Sequence, residues 1–308
     1  MTSQKRLNLQ ATLLSLLILA VLLGVWHLAT LPATGSTAAA GALSAEQIEY
    51  RKLMGKPVDA QSGESGESGE SGAGAEGGEA KSSGFPSLAQ MGRTVARNLA
   101  DPFYDKGPND KGIGIQLAYS LGRVALGFGI AALLAIPLGF LIGMSPLLYR
   151  ALDPFIQVLK PISPLAWMPL ALYTIKDSTI SGIFVIFICS VWPMLINTAF
   201  GVAGVRREWL NVAKTLEVSR WRLAFEVILP AAAPTILTGM RISMGIAWLV
   251  IVAAEMLVGG TGIGYFVWNE WNNLSLTNVI FAILVIGLVG MGLDLLFARA
   301  QKAVTYVD

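Results

Sequence analysis

The stretch Asn211–Pro230, NVAKTLEVSRWRLAFEVILP, decides the fold class of this chain, because it is charged and amphipathic and lies between two long apolar segments. Apolar residues at its start recur at i, i+3, i+4 and i+7, which is one face of a helix: Trp209, Val212, Ala213 and Leu216. Its basic residues lie off that face: Lys214, Arg220 and Arg222. The pattern predicts a helical loop at the membrane surface with a docking partner on the cytoplasmic side.

A second interpretation of this loop is an interfacial helix that lies on anionic lipid, since such helices share its composition. The segment, however, continues into Leu229-Pro230, and Pro234 follows. This continuation favours docking.

Composition places the chain in a membrane. It has 308 residues, of which 54% are hydrophobic and 14% charged, whereas soluble domains have about 25% charged residues. A net charge of +2 gives no reason to expect nucleic-acid binding. Apolar runs predict about six spans, near Ala11–Leu31, Ile115–Gly143, Leu152–Ile175, Gly182–Val202, Ala231–Val258 and Thr277–Phe297. The predicted class is an all-α polytopic membrane protein with about six transmembrane helices.

The predicted organisation has five parts: an N-terminal transmembrane helix (1–31), a flexible, acidic Gly/Ser/Glu-rich extracytoplasmic insert (32–84), an extracytoplasmic amphipathic segment (85–112), a core (113–302) with the loop 206–230, and a tail (303–308). Lys5 and Arg6 precede the first apolar run, as in a signal peptide, but the run exceeds the roughly 7–15 residues of a signal h-region. A retained helix is therefore expected. The repeat SGESGESGE has no large apolar side chain to offset its ordering entropy.

Prolines and glycines shape the predicted spans. Pro161, Pro164 and Pro169 predict that the third span is broken or strongly kinked. Gly139 and Gly143 form a G-x-x-x-G pair, which fits close helix packing. The run GGTGIG (259–264) is interpreted as a flexible turn between spans, since it lacks the setting of a dinucleotide loop.

The predicted orientation follows from basic residues in short loops, which favour the cytoplasm. Both termini and the loop 206–230 then lie inside, while the segment between Gly259 and Leu276 has no Lys or Arg and lies outside. Trp268, Asn269, Glu270 and Trp271 in that segment fit a membrane anchor, a cap on a gate or a contact with a binding protein.

The loop resembles the EAA loop of type I ABC-importer permeases, which reads roughly E-A-A, three residues, G, nine residues, I-x-L-P. Ala213 matches the second Ala, and Leu229-Pro230 matches the L-P. Asn211 replaces the Glu and Glu217 replaces the Gly. Glu217 is expected to remove the flexible joint between two short helices and to pair with Lys214, Arg220 or a basic residue of a partner.

The resemblance extends from about residue 84 to the C-terminus. The runs SLGRVALG (120–127) and PISPLAWMPL (161–170) look like the nitrate, sulfonate and taurine branch of these permeases. The runs NDKGIG (109–114) and YFVWNEWNN (265–273) are closest to cyanobacterial-type nitrate importers, and bicarbonate permeases are very similar.

The resemblance implies a MetI-like fold and a transport subunit rather than an enzyme. The implied function is ATP-driven import of a small inorganic anion, nitrate or nitrite, or else bicarbonate, sulfonate, taurine or cyanate. Implied partners are a second permease copy, two cytosolic ABC ATPases that bind ATP and Mg, an extracytoplasmic solute-binding protein and membrane lipid. No cofactor, metal or nucleic acid is expected on this chain. A stand-alone secondary anion transporter or channel is the alternative from another class.

Five charged residues fall within or near the spans: Arg123, Lys160, Arg241, Glu255 and Asp294. A charge at the bilayer centre costs about 2.5–3.5 kcal/mol on insertion scales, so these groups are expected to pair, to line water or to lie near an interface. Candidate pathway residues are Lys160, Trp192, Asn197, Arg241 and Glu255. Internal ion pairs are the alternative for the charged ones, and an interhelical hydrogen bond is the alternative for Asn197.

Overall fold

The computed structural model describes residues 3–30, 86–107 and 110–304. Contacts divide the chain into two compact units, Met1–Gln90 and Met91–Asp308. In the first, α1 (Ser3–Ala29) is long and apolar enough to cross a membrane, and Trp26 Nε1 donates to the carbonyl of Pro86 at 3.1 Å. The predicted acidic insert, 32–84, lies outside the described residues.

The rest of the described chain is almost entirely helical. The amphipathic segment forms α2 (Leu88–Ala100), followed by an antiparallel hairpin of β1 (Asp105–Gly107) and β2 (Asp110–Lys111). The further helices are α3 (Ile113–Met144), α4 (Pro146–Leu159), α5 (Trp167–Ile175), α6 (Ser178–Ala203), α7 (Arg207–Thr215), α8 (Arg220–Arg222), α9 (Leu229–Val258), α10 (Ile263–Asn272) and α11 (Leu276–Val304).

The membrane class is confirmed by helix length and composition. Five helical stretches of the described residues are long and apolar enough to cross, and a sixth span results if α4 and α5 count as one. That pair is bent by 76° at the break between them, so the predicted broken third span is confirmed. Pro161 and Pro164 lie in or just after the break, where they cannot donate backbone hydrogen bonds.

The helices α3, α6 and α9 form the centre of the second unit. At the α3–α6 crossing, a Cβ on Gly139 would lie 2.7 Å from the Leu195 carbonyl oxygen, and one on Gly143 would lie 2.6 Å from that of Ala199. The predicted close packing at the G-x-x-x-G pair is therefore confirmed. Larger residues at either position would separate the two helices.

Two apolar clusters flank this centre. The first joins the bent pair to α6 and α9 through Met168, Ala171, Val185, Cys189, Val250 and Ala254. The second lies where α6 ends and α9 begins and contains Val202, Val205, Ile228, Ala232 and Ile236. The segment between α6 and α9 therefore starts and ends on one buried cluster.

Candidate functional site

The docking loop, residues 206–230, consists of the short helix α7, a tight turn and the start of the helical stretch that continues into α9. Val218 N donates to the Ala213 carbonyl and Glu217 N to that of Lys214, both at 3.1 Å, which closes α7 with a Schellman motif. Glu217 adopts the left-handed conformation, with φ 51°. Ser219 then caps α8, since its hydroxyl accepts from Arg222 N at 3.5 Å.

This geometry corrects the expectation for Glu217. Glycine adopts the left-handed conformation most easily. The Gly of the family's loop therefore fits the backbone conformation that this turn requires. In this chain the turn between the helices is retained, and Glu217 adopts the strained left-handed conformation there. Within the described part of the chain Glu217 pairs with neither Lys214 nor Arg220, and the ion pair seen in the loop joins Arg222 to Glu226 at 3.8 Å. Pairing with a basic residue of a partner stays a prediction.

The docking loop presents large apolar side chains outward. Leu216 is 71% exposed and Trp221 77% exposed, and Trp209, Val212 and Phe225 are also exposed. Ala213 alone of the predicted apolar face is buried. The remaining predicted loop residues lie at the surface or at its edge: Asn211, Lys214, Arg220, Arg222, Leu229 and Pro230. A patch of this kind marks a contact surface.

The loop is attached firmly to the helices beneath it. Leu210 of α7 and Leu223 pack on the second apolar cluster. A π-helical segment, Leu223–Ile228, leads directly into α9, where Pro230 lies in the first turn. Because Pro230 has no N–H and its ring crowds the carbonyl four residues earlier, a widened turn suits this position. Arg220–Val258 is thus one helical stretch of 39 residues.

At the far end of α9, a buried polar cluster, the clamp, is formed by Gln116, Ser120, Arg123 and Glu255. Glu255 is 4% exposed, and its carboxylate accepts from Arg123 Nη1 at 2.8 Å and from Ser120 Oγ at 2.8 and 2.9 Å. Arg123 Nη1 also donates to the Thr261 carbonyl at 2.6 Å. The clamp therefore connects α3, α9 and the loop that follows α9.

The clamp also caps the N-terminus of α10. Gly262 N donates to Gln116 Oε1 at 2.6 Å, Ile263 N to Ser120 Oγ at 2.9 Å, and Gly264 N to Glu255 Oε2 at 3.1 Å. A Cβ on Gly262 would overlap the Glu255 carboxylate. The run 259–264 connects α9 to the short helix α10 and includes the first two residues of α10; the bonds above hold its second half in place.

A second ion pair, formed by residues of two candidate spans, lies near the middle of α9. Arg241 Nε and Nη2 donate to the two carboxylate oxygens of Asp294 on α11, both at 2.6 Å. The two side chains are 38% and 52% exposed. They border a groove of about 390 Å³ between α9 and α11, the Arg241 groove, which Gly245, Trp248 and Gly290 also line.

The other predicted pathway residues are not brought together at either pair. Lys160 is exposed at the break between α4 and α5. Trp192 and Asn197 are half-buried on α6. Asn197 Nδ2 donates to the Pro193 carbonyl at 2.8 Å. This bond lies within its own helix, whereas the alternative to a pathway role was an interhelical bond.

Sequence reasoning missed Gln116 and Ser120, both completely buried. The available signal was their spacing, because Gln116, Ser120 and Arg123 share one face of an apolar helix. Three polar residues on one face of a span indicate a partner within the protein.

A third polar contact ties α10 to its neighbours. Asn278 Nδ2 donates to Glu270 Oε2 at 2.7 Å and Asn98 Nδ2 donates to Asn278 Oδ1 at 3.3 Å. Near these residues, burial and a hydrogen bond to Asp110 raise the pKa of Tyr104 to about 12. Trp268 and Trp271 on α10 remain exposed.

The fold matches solved structures of ABC transporters. An inward-facing MetNI methionine ABC transporter aligns with a TM-score of 0.54 at 14% identity, over 61% of this chain and 94% of that chain. An amino acid ABC transporter with histidines aligns with a TM-score of 0.54 at 13% identity, over 71% of this chain and 99% of the other. These identities support the fold only.

Residues 135–305 match the family model described as "Binding-protein-dependent transport system inner membrane component". The nitrate import permease protein NrtB of Synechocystis sp. is 45% identical over 73% of this chain and 82% of its own. The NrtB of Leptolyngbya laminosa is 49% identical over 64% and 71%. The bicarbonate transport system permease protein CmpB of Synechocystis sp. is 46% identical over 67% and 74%.

The chain therefore belongs to the family of binding-protein-dependent transport system inner membrane components, as a type I ABC-importer permease. It is a multi-pass inner-membrane protein and a transport subunit rather than an enzyme. Such permeases work with ATPase and binding-protein partners, so the alternative of a stand-alone transporter or channel is wrong.

Proposed function

We propose that this chain forms the translocation path for nitrate in an ATP-driven importer. The observation that carries this proposal is the 45% identity to a nitrate import permease over 82% of that protein's length. Bicarbonate is the second candidate, because a bicarbonate permease is 46% identical over 74% of its length. Both are small, planar, monovalent oxyanions, so one path chemistry suits either.

The proposed assembly contains two copies of this permease and two ATPases, which bind the ATP and Mg. The exposed apolar residues of the docking loop support an ATPase contact, since Leu216 and Trp221 lie on a surface that the described part of this chain leaves uncovered. The basic residues of this loop favour a cytoplasmic position for it and for both termini. A solute-binding protein then delivers the anion at the opposite end, where α10 lies.

The proposed division of the chain assigns transport to residues 113–302. The helix 1–31 is retained in the membrane, and 85–112 lies on the extracytoplasmic side with the insert 32–84. Movement of the docking loop is transmitted to α9, because the two share one helical stretch. Along α9 lie Arg241 beside the Arg241 groove and Glu255 in the clamp.

The substrate is tested by uptake in a strain that lacks its own nitrate and bicarbonate importers, supplied with this permease, its ATPases and its binding protein. Labelled nitrate is expected to accumulate with dependence on ATP. Accumulation of bicarbonate without nitrate would establish the second candidate instead. Absence of both would overturn the proposed substrate class.

The docking role is tested by reversing two charges, Lys214→Glu together with Arg220→Glu. Both side chains are exposed on the loop, so the variant is expected to fold. ATP hydrolysis and uptake are expected to become uncoupled, with uptake falling at least tenfold while hydrolysis persists. Unchanged uptake with unchanged assembly would refute the docking role.

A further inference from the structure

The Arg241 groove combines a guanidinium fork with open space. Arg241 uses Nε and Nη2 to hold both oxygens of the Asp294 carboxylate, each at 2.6 Å. Among the described residues that line the groove, Arg241 and Asp294 are the two charged ones. The other lining residues are apolar or glycine. A Cβ on Gly245 or Gly287 would meet nothing within 4 Å, so the space beside the pair is not filled by the described part of this chain.

The position of the pair argues that the groove faces water or protein rather than lipid. Arg241 and Asp294 lie within two candidate spans, Arg220–Val258 and Leu276–Val304. About half of the Asp294 side chain is exposed. Charged groups inside a membrane are tolerated where they face a bundle interior or a water-filled cavity.

We propose that the Arg241 groove is an anion site in which Asp294 acts as a built-in competitor for Arg241. Resting on the proposed function, the inference is that nitrate or bicarbonate replaces the Asp294 carboxylate on the guanidinium as it enters. Asp294 returns to Arg241 as the anion leaves. No covalent bond changes and no proton moves.

The chemistry of the fork defines the ligands. Nitrate and bicarbonate each present two oxygens on a planar centre, as a carboxylate does, and a guanidinium binds such a pair through two parallel hydrogen bonds. Chloride is a single atom and cannot use the fork in this way. The groove is therefore expected to prefer planar oxyanions to halides.

Competition from Asp294 allows a bound anion to be released. A free guanidinium inside a membrane would bind an oxyanion tightly, whereas conduction requires that the ion also leave. The Arg241–Asp294 pair is neutral, so a bound monovalent anion gives the site one net negative charge. This excess charge weakens binding and favours release.

The test uses the intact importer, with its ATPases, in lipid nanodiscs and without binding protein. Binding of labelled nitrate is measured by equilibrium dialysis, with chloride as a competing ion. Asp294→Asn keeps the side-chain shape and removes the competing charge, so its Kd for nitrate is expected to fall about tenfold. Arg241→Lys keeps the charge but loses the fork, so its Kd is expected to rise about tenfold.

Two further variants complete the design. Asp153→Asn is the matched control, because it makes the same charge change on α4, where Asp153 accepts from Gln157 at 2.6 Å away from the groove; its Kd is expected to be unchanged. Gly245→Leu extends a side chain into the groove from a Cβ position that has nothing within 4 Å, and it is expected to weaken nitrate binding while the importer still assembles.

The outcomes separate the possibilities. If Asp294→Asn leaves the Kd for nitrate unchanged or raises it, while the wild-type importer takes up nitrate, the Arg241–Asp294 pair only links two helices. The anion-site proposal is then overturned and the proposed function is not. An unchanged Kd in Arg241→Lys also overturns it, even if the Asn variant fails to fold. If Gly245→Leu prevents assembly, a partner fills the groove and the proposal is again overturned. Failure of the wild-type protein to take up either oxyanion overturns the proposed function instead.

Discussion

Helix α9 carries two ion pairs of the same chemistry in opposite settings. Glu255 is buried in the clamp, where its carboxylate accepts from Arg123, Ser120 and Gly264 N. Asp294 is half exposed and bonds to Arg241 beside an open groove. The first pair joins several elements, whereas the second joins two helices and leaves space next to the charge.

The difference shows that surroundings, rather than residue types, decide what an intramembrane ion pair does. A buried charge that loses its partner cannot be rehydrated, so the clamp is expected to be essential for the fold. A half-exposed pair can separate because water takes over its hydrogen bonds. Exchange with a ligand is therefore possible at Arg241 and not at Arg123.

The largest effect is expected from breaking the clamp with Glu255→Ala. The change leaves Arg123 buried without its partner and removes a cap from α10, and such losses cost about 3–5 kcal/mol. Thermal unfolding of the purified importer is expected to show a strongly lowered midpoint or no assembled protein. Asp153→Ala, which removes the acid bonded to Gln157, is the control. Equal stability of the two variants would contradict the role of the clamp.

A smaller loss is expected from Gly262→Ala, which places a methyl group on the Glu255 carboxylate. Overpacking of this kind typically costs about 1–3 kcal/mol. Gly245→Ala is the matched control, because a Cβ there meets nothing within 4 Å. Thermal unfolding midpoints of the two variants, measured in parallel, test this difference. A Gly262→Ala midpoint as high as that of the control would show that the loop shifts to accommodate the methyl group.

At the second pair, Asp294→Asn is expected to change stability far less than Glu255→Ala. Asn can still accept from Arg241, and both side chains have access to the groove. The unfolding midpoint is expected to remain close to that of wild type in the absence of anion. A fall as large as that of Glu255→Ala would remove the contrast between the two pairs.

The smallest effect, and the one stabilising change, is expected from Glu217→Gly in the docking loop. Glycine adopts the left-handed conformation of this turn without the roughly 1 kcal/mol that a side chain costs there. Part of this gain is offset by the greater freedom of glycine in the unfolded chain. A slightly raised unfolding midpoint with uptake retained is expected, and a lowered midpoint would show that the Glu217 side chain stabilises the turn.

The sequence predicted what depends on local pattern. Apolar runs located the spans, and Pro161 and Pro164 located the break in the third. The exposed apolar face of α7 followed from helical spacing, but the conformation of Glu217 did not, because the turn rather than the residue type determines it. Local backbone bonds at Ala213 and Lys214 impose the left-handed joint.

The sequence could not predict which charges pair. Arg123 and Glu255 lie 132 positions apart and Arg241 and Asp294 lie 53 apart, so only the packing of the helices brings them together. Exposure was equally hidden, since all four residues fall in apolar runs. The distinction between the clamp and the Arg241 groove is therefore a property of tertiary structure.

The unbroken path from Trp221 through α9 makes this helix a lever. From Trp221 to Arg241 the axis covers about 30 Å, and to Glu255 about 50 Å, at 1.5 Å for each residue. With its far end held at the clamp, a tilt of about 10° imposed on the docking loop displaces the guanidinium by about 4 Å, which is more than one hydrogen-bond length. A tilt of this size at the docking loop is therefore large enough to part Arg241 from Asp294.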